Sequence, residues 1–170
     1  MNTLTAIHTR RSVRAYTNEP VSEEHIRTMV EAAMAAPSAG NEQPWKFVIV
    51  DDPAMLKKTA TLHQYAGPAK KAPLGILVCG DLNAEKYPGF WVQDCSAAIQ
   101  NLLLAAVACG LGTVWLGLYP IEERVLAARK LFALPESFVP LAFICVGYPQ
   151  TEQQTQNRYN ESNIRWNRWT

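Results

Sequence analysis

Between Asp94 and Cys109 the chain reads DCSAAIQNLLLAAVAC, a stretch of helical length that is apolar nearly all round. A helix without a polar face must be covered on every side, so this one belongs at the centre of the fold or in a subunit interface. It contains Gln100 and Asn101 and falls well short of the ~20 apolar residues that cross a bilayer. Gly110 follows it, at the position where a left-handed residue ends a helix. Covering such a helix takes a full core. A chain of 170 residues with 48% apolar content supplies one, since a single domain of this size buries roughly 70% of its unfolded surface.

The other elements follow from spacing. A short helix through Leu4 and Ile7 ends at the arginines that begin at Arg10. A second starts at the N-cap Ser22, carries Glu23 and Glu24 in its first turn and Ile26, Met29, Val30, Ala33 and Met34 on one face, and stops at Pro37. Trp45 to Val50 reads as a strand. Asp52 caps and Pro53 opens a helix to about Thr61, and His63 to Pro73 is a loop. Leu74 to Cys79 is a strand so apolar that it is expected to be covered on both faces. Thr113 to Leu116 is the third strand. A helix from Ile121 to Leu131 then runs from Glu122 and Glu123 to Arg129 and Lys130, the order its dipole favours. Pro135 and Pro140 flank a loop before the last strand, Leu141 to Val146. The sum is an α+β layer, with residues 1–149 as the core and 150–170 as an arm completing the same single domain.

Two segments stay open on patterning. Asp81 to Gly89 is polar and leads into Phe90 and Trp91, which are either part of a lid or the first core aromatics of the long helix. Gln150 to Asn157 is polar and glutamine-rich, yet the chain ends with Ile164, Trp166 and Trp169, which dock either on a partner subunit or back on their own domain.

Charge excludes some functions. With 16 basic and 15 acidic side chains the formal charge is +1, so no overall field draws nucleic acid or an anionic membrane. Cys79, Cys95, Cys109 and Cys145 stand singly in apolar runs, which suits buried thiols in a reducing compartment rather than disulfides or zinc. His8, His25 and His63 form no ligand spacing, so no metal is expected. No apolar run long enough for a secretory signal precedes Arg10, and a cytoplasmic protein is the expectation.

Against that balanced background, Arg10-Arg11-Ser12-Val13-Arg14 concentrates three guanidinium groups and a hydroxyl, the donors that a phosphate ester or a planar acceptor edge requires. Alone, the cluster equally suits a solvated basic turn at a helix C-terminus. Pro37 to Trp45 is a polar loop whose Ser38, Asn41 and Gln43 can bond ring carbonyls and nitrogens, and Arg158 is a late arginine in the polar tail. The glycines of Gly110-Leu111-Gly112-Thr113-Val114-Trp115-Leu116-Gly117 follow a helix and precede a strand. That is the reverse of a dinucleotide-binding fingerprint, which is rejected. Gly117 instead ends a strand where a flat ligand can lie against bare backbone.

Taken together, Arg10 to Arg14, Ala35 to Trp45, Asp94 through Ala97-Ala98 to Gly117, and Arg158 resemble the nitroreductase family of FMN-dependent oxidoreductases over nearly the whole chain. The resemblance implies a mixed central sheet flanked by helices, in a homodimer with two FMN sites at the subunit interface and a C-terminal arm exchanged between subunits. It implies that Arg10, Ser12 and Arg158 hold the FMN phosphate and that Arg14 lies near the N1/O2 edge of the ring. Pro37, Ser38, Ala39 and Asn41 would approach from the other subunit, the Leu116-Gly117 backbone would face N5, and Arg11 would bind cofactor or serve as a structural ion-pair partner. The implied activity takes a hydride from NAD(P)H and passes electrons to nitroaromatics, quinones or similar small oxidants in a ping-pong cycle. No catalytic side chain is required of the protein. Reductive dehalogenation, flavin fragmentation, and flavin binding without turnover are the alternatives on the same residues.

Overall fold

The computed structural model describes residues 1–152 and 155–169. Four strands, β1 (Trp45–Val50), β2 (Leu74–Asp81), β3 (Gly112–Gly117) and β4 (Phe138–Gly147), form one sheet in the order β1-β2-β4-β3. The ladders between them are antiparallel, and a parallel pairing enters through the bridge between Ser12 and Thr113. Five helices surround the sheet: α1 (Thr3–Thr9), α2 (Glu23–Met34), α3 (Pro53–Thr59), α4 (Trp91–Ala108) and α5 (Glu122–Phe132).

Strand alternation divides the core into two layers. Leu74, Ile76 and Val78 of β2, with Ala142, Ile144 and Val146 of β4, pack beneath α4 and α2. Leu77 and Cys79 of β2, with Phe143 and Cys145 of β4, face Leu56 of α3, Ala128 of α5 and the returning chain at Val13 and Tyr16. The central strands are therefore covered on both sides, as their uniform apolar character requires. Burying Phe143 alone is worth ~2–3 kcal/mol by transfer. All four cysteines are free thiols, and burial pushes those of Cys79, Cys95 and Cys145 up to about 12.

The long helix takes the position its sequence demands, with Ala98, Ile99, Leu102 and Ala106 fully buried against the sheet and α2. On its other side an open groove of about 350 Å³ runs between α1, α2 and α4, lined by Ala32, Ala35, Leu104, Ala105 and Ala108. Ser22 caps α2 by accepting the His25 N–H at 3.2 Å. Asp52 caps α3 through the Ala54 and Met55 amides.

Three boundaries differ from expectation. The helix α4 begins at Trp91 rather than near Asp94, because the Trp91 ring lies on Gly80 and edge-on to Tyr119 at 4.9 Å, which buries it as the first core residue of the helix. Its neighbour Phe90 stays exposed. Pro140 belongs to β4 rather than to a loop: it sits opposite Cys79 where the register shifts, and a bulge tolerates a residue with no N–H to donate. Within the loop 63–73, Gly67–Lys71 forms a short 3-10 turn. Residues 155–169 are exposed throughout, Trp166 at 88% and Trp169 at 69%, although residues 156–159 lie beside Arg10 and Arg11.

A Cβ at Gly75 would fall 2.0 Å from the Phe143 ring, whereas one at Gly67 would meet nothing within 4 Å. Gly75→Ala is accordingly expected to destabilise the fold by about 1–3 kcal/mol through overpacking. Gly67→Ala should change stability by less than about 1 kcal/mol, and denaturant midpoints of the two variants measure the contrast.

Candidate active site

The N-terminal arginines are delivered by a helix that ends on schedule. Asn2 caps α1 through the Thr5 N–H at 2.8 Å, and the Arg10 N–H closes it on the Ala6 carbonyl at 3.0 Å. The carbonyls at such an end attract cations, and Arg11 Nη1 donates to the His8 carbonyl at 3.0 Å and to the Arg10 carbonyl at 2.6 Å. Beyond the helix, Arg10, Arg11 and Arg158 line a cleft of about 260 Å³ together with His8, Asn157 and Tyr159. Among the described residues lining it there is no carboxylate. Burial, then the charges of Arg158 and Arg11, hold the Arg10 guanidinium below its usual pKa. The mutual repulsion of Arg10 and Arg158 is one that a bound anion relieves.

From this cleft the chain runs onto the sheet edge. The Val13 N–H donates to the Thr113 carbonyl at 2.8 Å beside a parallel bridge between Ser12 and Thr113, and the chain then turns to the end of β4, where the Thr17 N–H donates to the Tyr148 carbonyl at 2.9 Å and the Gln150 N–H to the Ala15 carbonyl at 3.2 Å. Arg14 is exposed on this path, its Nη1 donating to the Ser12 carbonyl at 3.3 Å. Since the Thr113 carbonyl points away from β4, alternation turns the backbone of Trp115 and Gly117 outward as well and that of Leu116 inward. The Leu118 N–H, in step with Leu116, donates to the Leu141 carbonyl at 3.0 Å. The open edge thus presents the Gly117 backbone, whose carbonyl accepts Arg124 Nη1 at 2.9 Å, and no atom lies within 4 Å of the space a Cβ there would fill.

The loop after α2 is built separately. Gly40, Asn41 and Gln43 adopt φ of 52°, 56° and 50°, a run of left-handed residues that surrounding contacts must enforce. Ser38 Oγ accepts the Gln43 N–H at 3.0 Å, and Gln43 Nε2 donates to Asn41 Oδ1 at 3.2 Å. The Ala39 N–H donates to Asp94 Oδ1 at 3.0 Å, Lys86 Nζ to the Gly40 carbonyl at 3.2 Å, and the Tyr87 N–H to Glu42 Oε1 at 2.6 Å. Pro37 and Asn41 are exposed, and none of Pro37, Ser38, Ala39 and Asn41 lines the arginine cleft.

Comparison with known proteins identifies the family of this fold. A model of the nitroreductase family matches residues 7–81 and 63–148. The chain belongs to the nitroreductase family. A relative from Methanothermobacter thermautotrophicus, provisionally named an NADH dehydrogenase/NAD(P)H nitroreductase, is 47% identical over 99% of this chain and 88% of its own. A solved structure under the same provisional name from Parabacteroides distasonis is 42% identical, with a TM-score of 0.95 over 99% of this chain and 100% of that one. A provisionally named nitroreductase from Desulfovibrio desulfuricans, solved in complex with FMN, is 36% identical, with a TM-score of 0.84 over 96% and 95% of the two chains.

In this nitroreductase-family chain, the arginines expected to act together come from opposite ends of the sequence into one cleft, Arg10 and Arg11 with Arg158. Ser12, bridged to Thr113, and the exposed Arg14 follow in the chain without lining the cleft, and the residues 37–41 stand apart on their own loop. Sequence reasoning did not single out Glu42, Lys86 or Tyr87, which fasten that loop, nor the role of Asp94. One signal was present: Asp94 is a lone acid in the apolar stretch 91–109. Arg158→Ala is expected to weaken binding of inorganic phosphate or a phosphate ester about tenfold or more. The same change should leave the melting temperature of the ligand-free chain unchanged or raised, because a repulsion is removed. Titration calorimetry and a thermal melt check the two halves.

Proposed function

We propose that the chain is an FMN-dependent oxidoreductase that uses NAD(P)H to reduce nitroaromatics, quinones or similar small oxidants. The observation that carries the reading is the cleft in which Arg10 and Arg158, from opposite ends of the chain, stand together with no acid among its described lining residues, with Ser12 beyond it bridged to the edge strand β3 that ends at Gly117. The donor set there suits a phosphate, and the open space over Gly117 suits a flat ring, so the residues fit FMN. When bound, FMN supplies a ring that takes two electrons from a reduced nicotinamide and gives them to a second substrate in the same space, which accounts for a ping-pong order.

The residues then divide the work. Arg10, Ser12 and Arg158 hold the phosphate, with Arg11 holding the turn through the His8 and Arg10 carbonyls. Arg14, permanently charged and exposed two residues after Ser12, favours negative charge at the N1/O2 edge of the ring. The Gly117 backbone faces the ring near N5 from the strand edge, and Leu116 anchors that strand from the buried side. Hydride transfer needs no acid from the protein.

Completion of the site by a second copy follows from what one chain leaves undone. Pro37, Ser38, Ala39 and Asn41 are held rigid away from the arginine cleft, an arrangement suited to serving a neighbour's site. The groove beside α4 and the exposed Trp166 and Trp169 are apolar surfaces that a homodimer with exchanged arms covers. Residues 1–149 and the arm 150–170 then act as one domain completed across the dimer.

Anaerobic titration tests the activity. Yellow protein should bleach with NADH or NADPH and recover its colour on adding a quinone or nitroaromatic, whereas colour that neither donor bleaches speaks for binding without turnover. Arg14→Ala should retain FMN but lower its reduction potential by tens of millivolts, about 1–2 kcal/mol for two electrons. An unchanged potential removes Arg14 from the ring. Sedimentation at micromolar concentration should give a dimer, and a monomer that keeps FMN contradicts the shared site.

A further inference from the structure

Beneath the 38–43 loop lie two carboxyl groups that the proposed chemistry does not use. Glu42 is 8% exposed and Asp94 5%. Each spends one oxygen on a backbone amide, Asp94 Oδ1 on Ala39 and Glu42 Oε1 on Tyr87. The other oxygen of each, Asp94 Oδ2 and Glu42 Oε2, is buried with no hydrogen-bond partner. Leaving two ionised carboxylates in that state costs several kcal/mol.

Nearby charge does not supply the missing partner. Lys86 Nζ is engaged with the Gly40 carbonyl, and Lys46 pairs with Asp81 at 3.6 Å. Glu85 adds a further negative charge while its Oε1 accepts the Gly89 N–H at 2.7 Å, and the Cys79 and Cys95 thiols stay neutral. Among the described residues no cluster of His, Cys, Asp or Glu is arranged to hold a metal ion. A proton is the remaining counter-charge.

We propose that Glu42 and Asp94 are positioning residues, and that Asp94 keeps its proton at neutral pH, turned toward the unpartnered Glu42 oxygen, and so locks the 38–43 loop onto the start of α4. That the loop serves an active site rests on the FMN reading above. The clasp itself does not. A carboxyl protonated in the fold and ionised in the unfolded chain binds more protons when folded, in agreement with the upward shift that burial, then Glu42 and Glu85, impose on Asp94. Its contribution to stability is fully present at low pH, declines as pH rises from the ordinary carboxylate range to the raised value, and is level above it. Lock and loop should therefore loosen on the alkaline side.

Asp94→Asn mimics the protonated partner: its amide oxygen still accepts the Ala39 N–H, and its NH₂ offers a donor toward Glu42. The cofactor-free chain should show an infrared carbonyl band of a protonated carboxyl at pH 7 that disappears in Asp94→Asn and in the double variant with Glu42→Gln. The melting temperature of Asp94→Asn should gain on the natural chain as pH rises. Retention of FMN should stay within about twofold for Asp94→Asn and fall about tenfold for Asp94→Ala, the cost of an orphaned amide. Absence of the band from the natural chain, or its persistence in both variants, overturns the retained proton. Equal losses for Asn and Ala overturn it as well. The infrared and melting arms use no cofactor, so they fail or succeed independently of whether FMN binds.

Discussion

Two central strands, β2 and β4, must be hidden on both faces at once, and this requirement organises the molecule around them. Alternate side chains send Ile76, Val78 and Ile144 to one layer and Leu77, Phe143 and Cys145 to the other. Helices can cover a two-sided sheet only by packing on opposite faces, so α2 and α4 take one side and α3 and α5 the other. The edge strand β3 is then free for other use. Its outer backbone receives Ser12 at one end and Arg124, on the Gly117 carbonyl, at the other, where open space lies over the Gly117 Cα.

Electrostatics adds a second feature, like charges brought close together. Arg10, Arg11 and Arg158 meet in a cleft whose described lining holds no acid, and Glu42 and Asp94 meet beneath a loop whose nearby lysines are otherwise engaged. Both arrangements cost free energy in the isolated chain. A bound anion would relieve the first and a proton the second, the one within the proposed cofactor site and the other beneath the loop outside it. A formal charge of +1 conceals both.

Much of the fold was legible because its signals are local. Ser22 and Asp52 cap their helices through their own side chains, and the β-branched and aromatic run at Trp45–Val50 forms the strand it predicts. What misled was long-range. Pro140 looks like a strand breaker until the bulge opposite Cys79 removes the need for its N–H, and Trp91 joins α4 because Gly80, on another element, leaves room for its ring. At the site, the arginines were visible as a cluster of one residue type. Glu42 was not, because a single acid in a polar loop carries no mark of the burial that gives it a role.

The amino-acid order by itself determined the helix and strand inventory, the central place of α4 and the family resemblance, since each rests on periodicity, capping or a short motif. Only the tertiary structure decided that Arg158 reaches Arg10 across most of the chain, that Gly117 rather than Leu116 turns its backbone to the open edge, and that Glu42 and Asp94 each bury an unpartnered carboxyl oxygen. Those outcomes depend on ladder parity and on distances between residues far apart in sequence, which chain connectivity leaves free until the core closes.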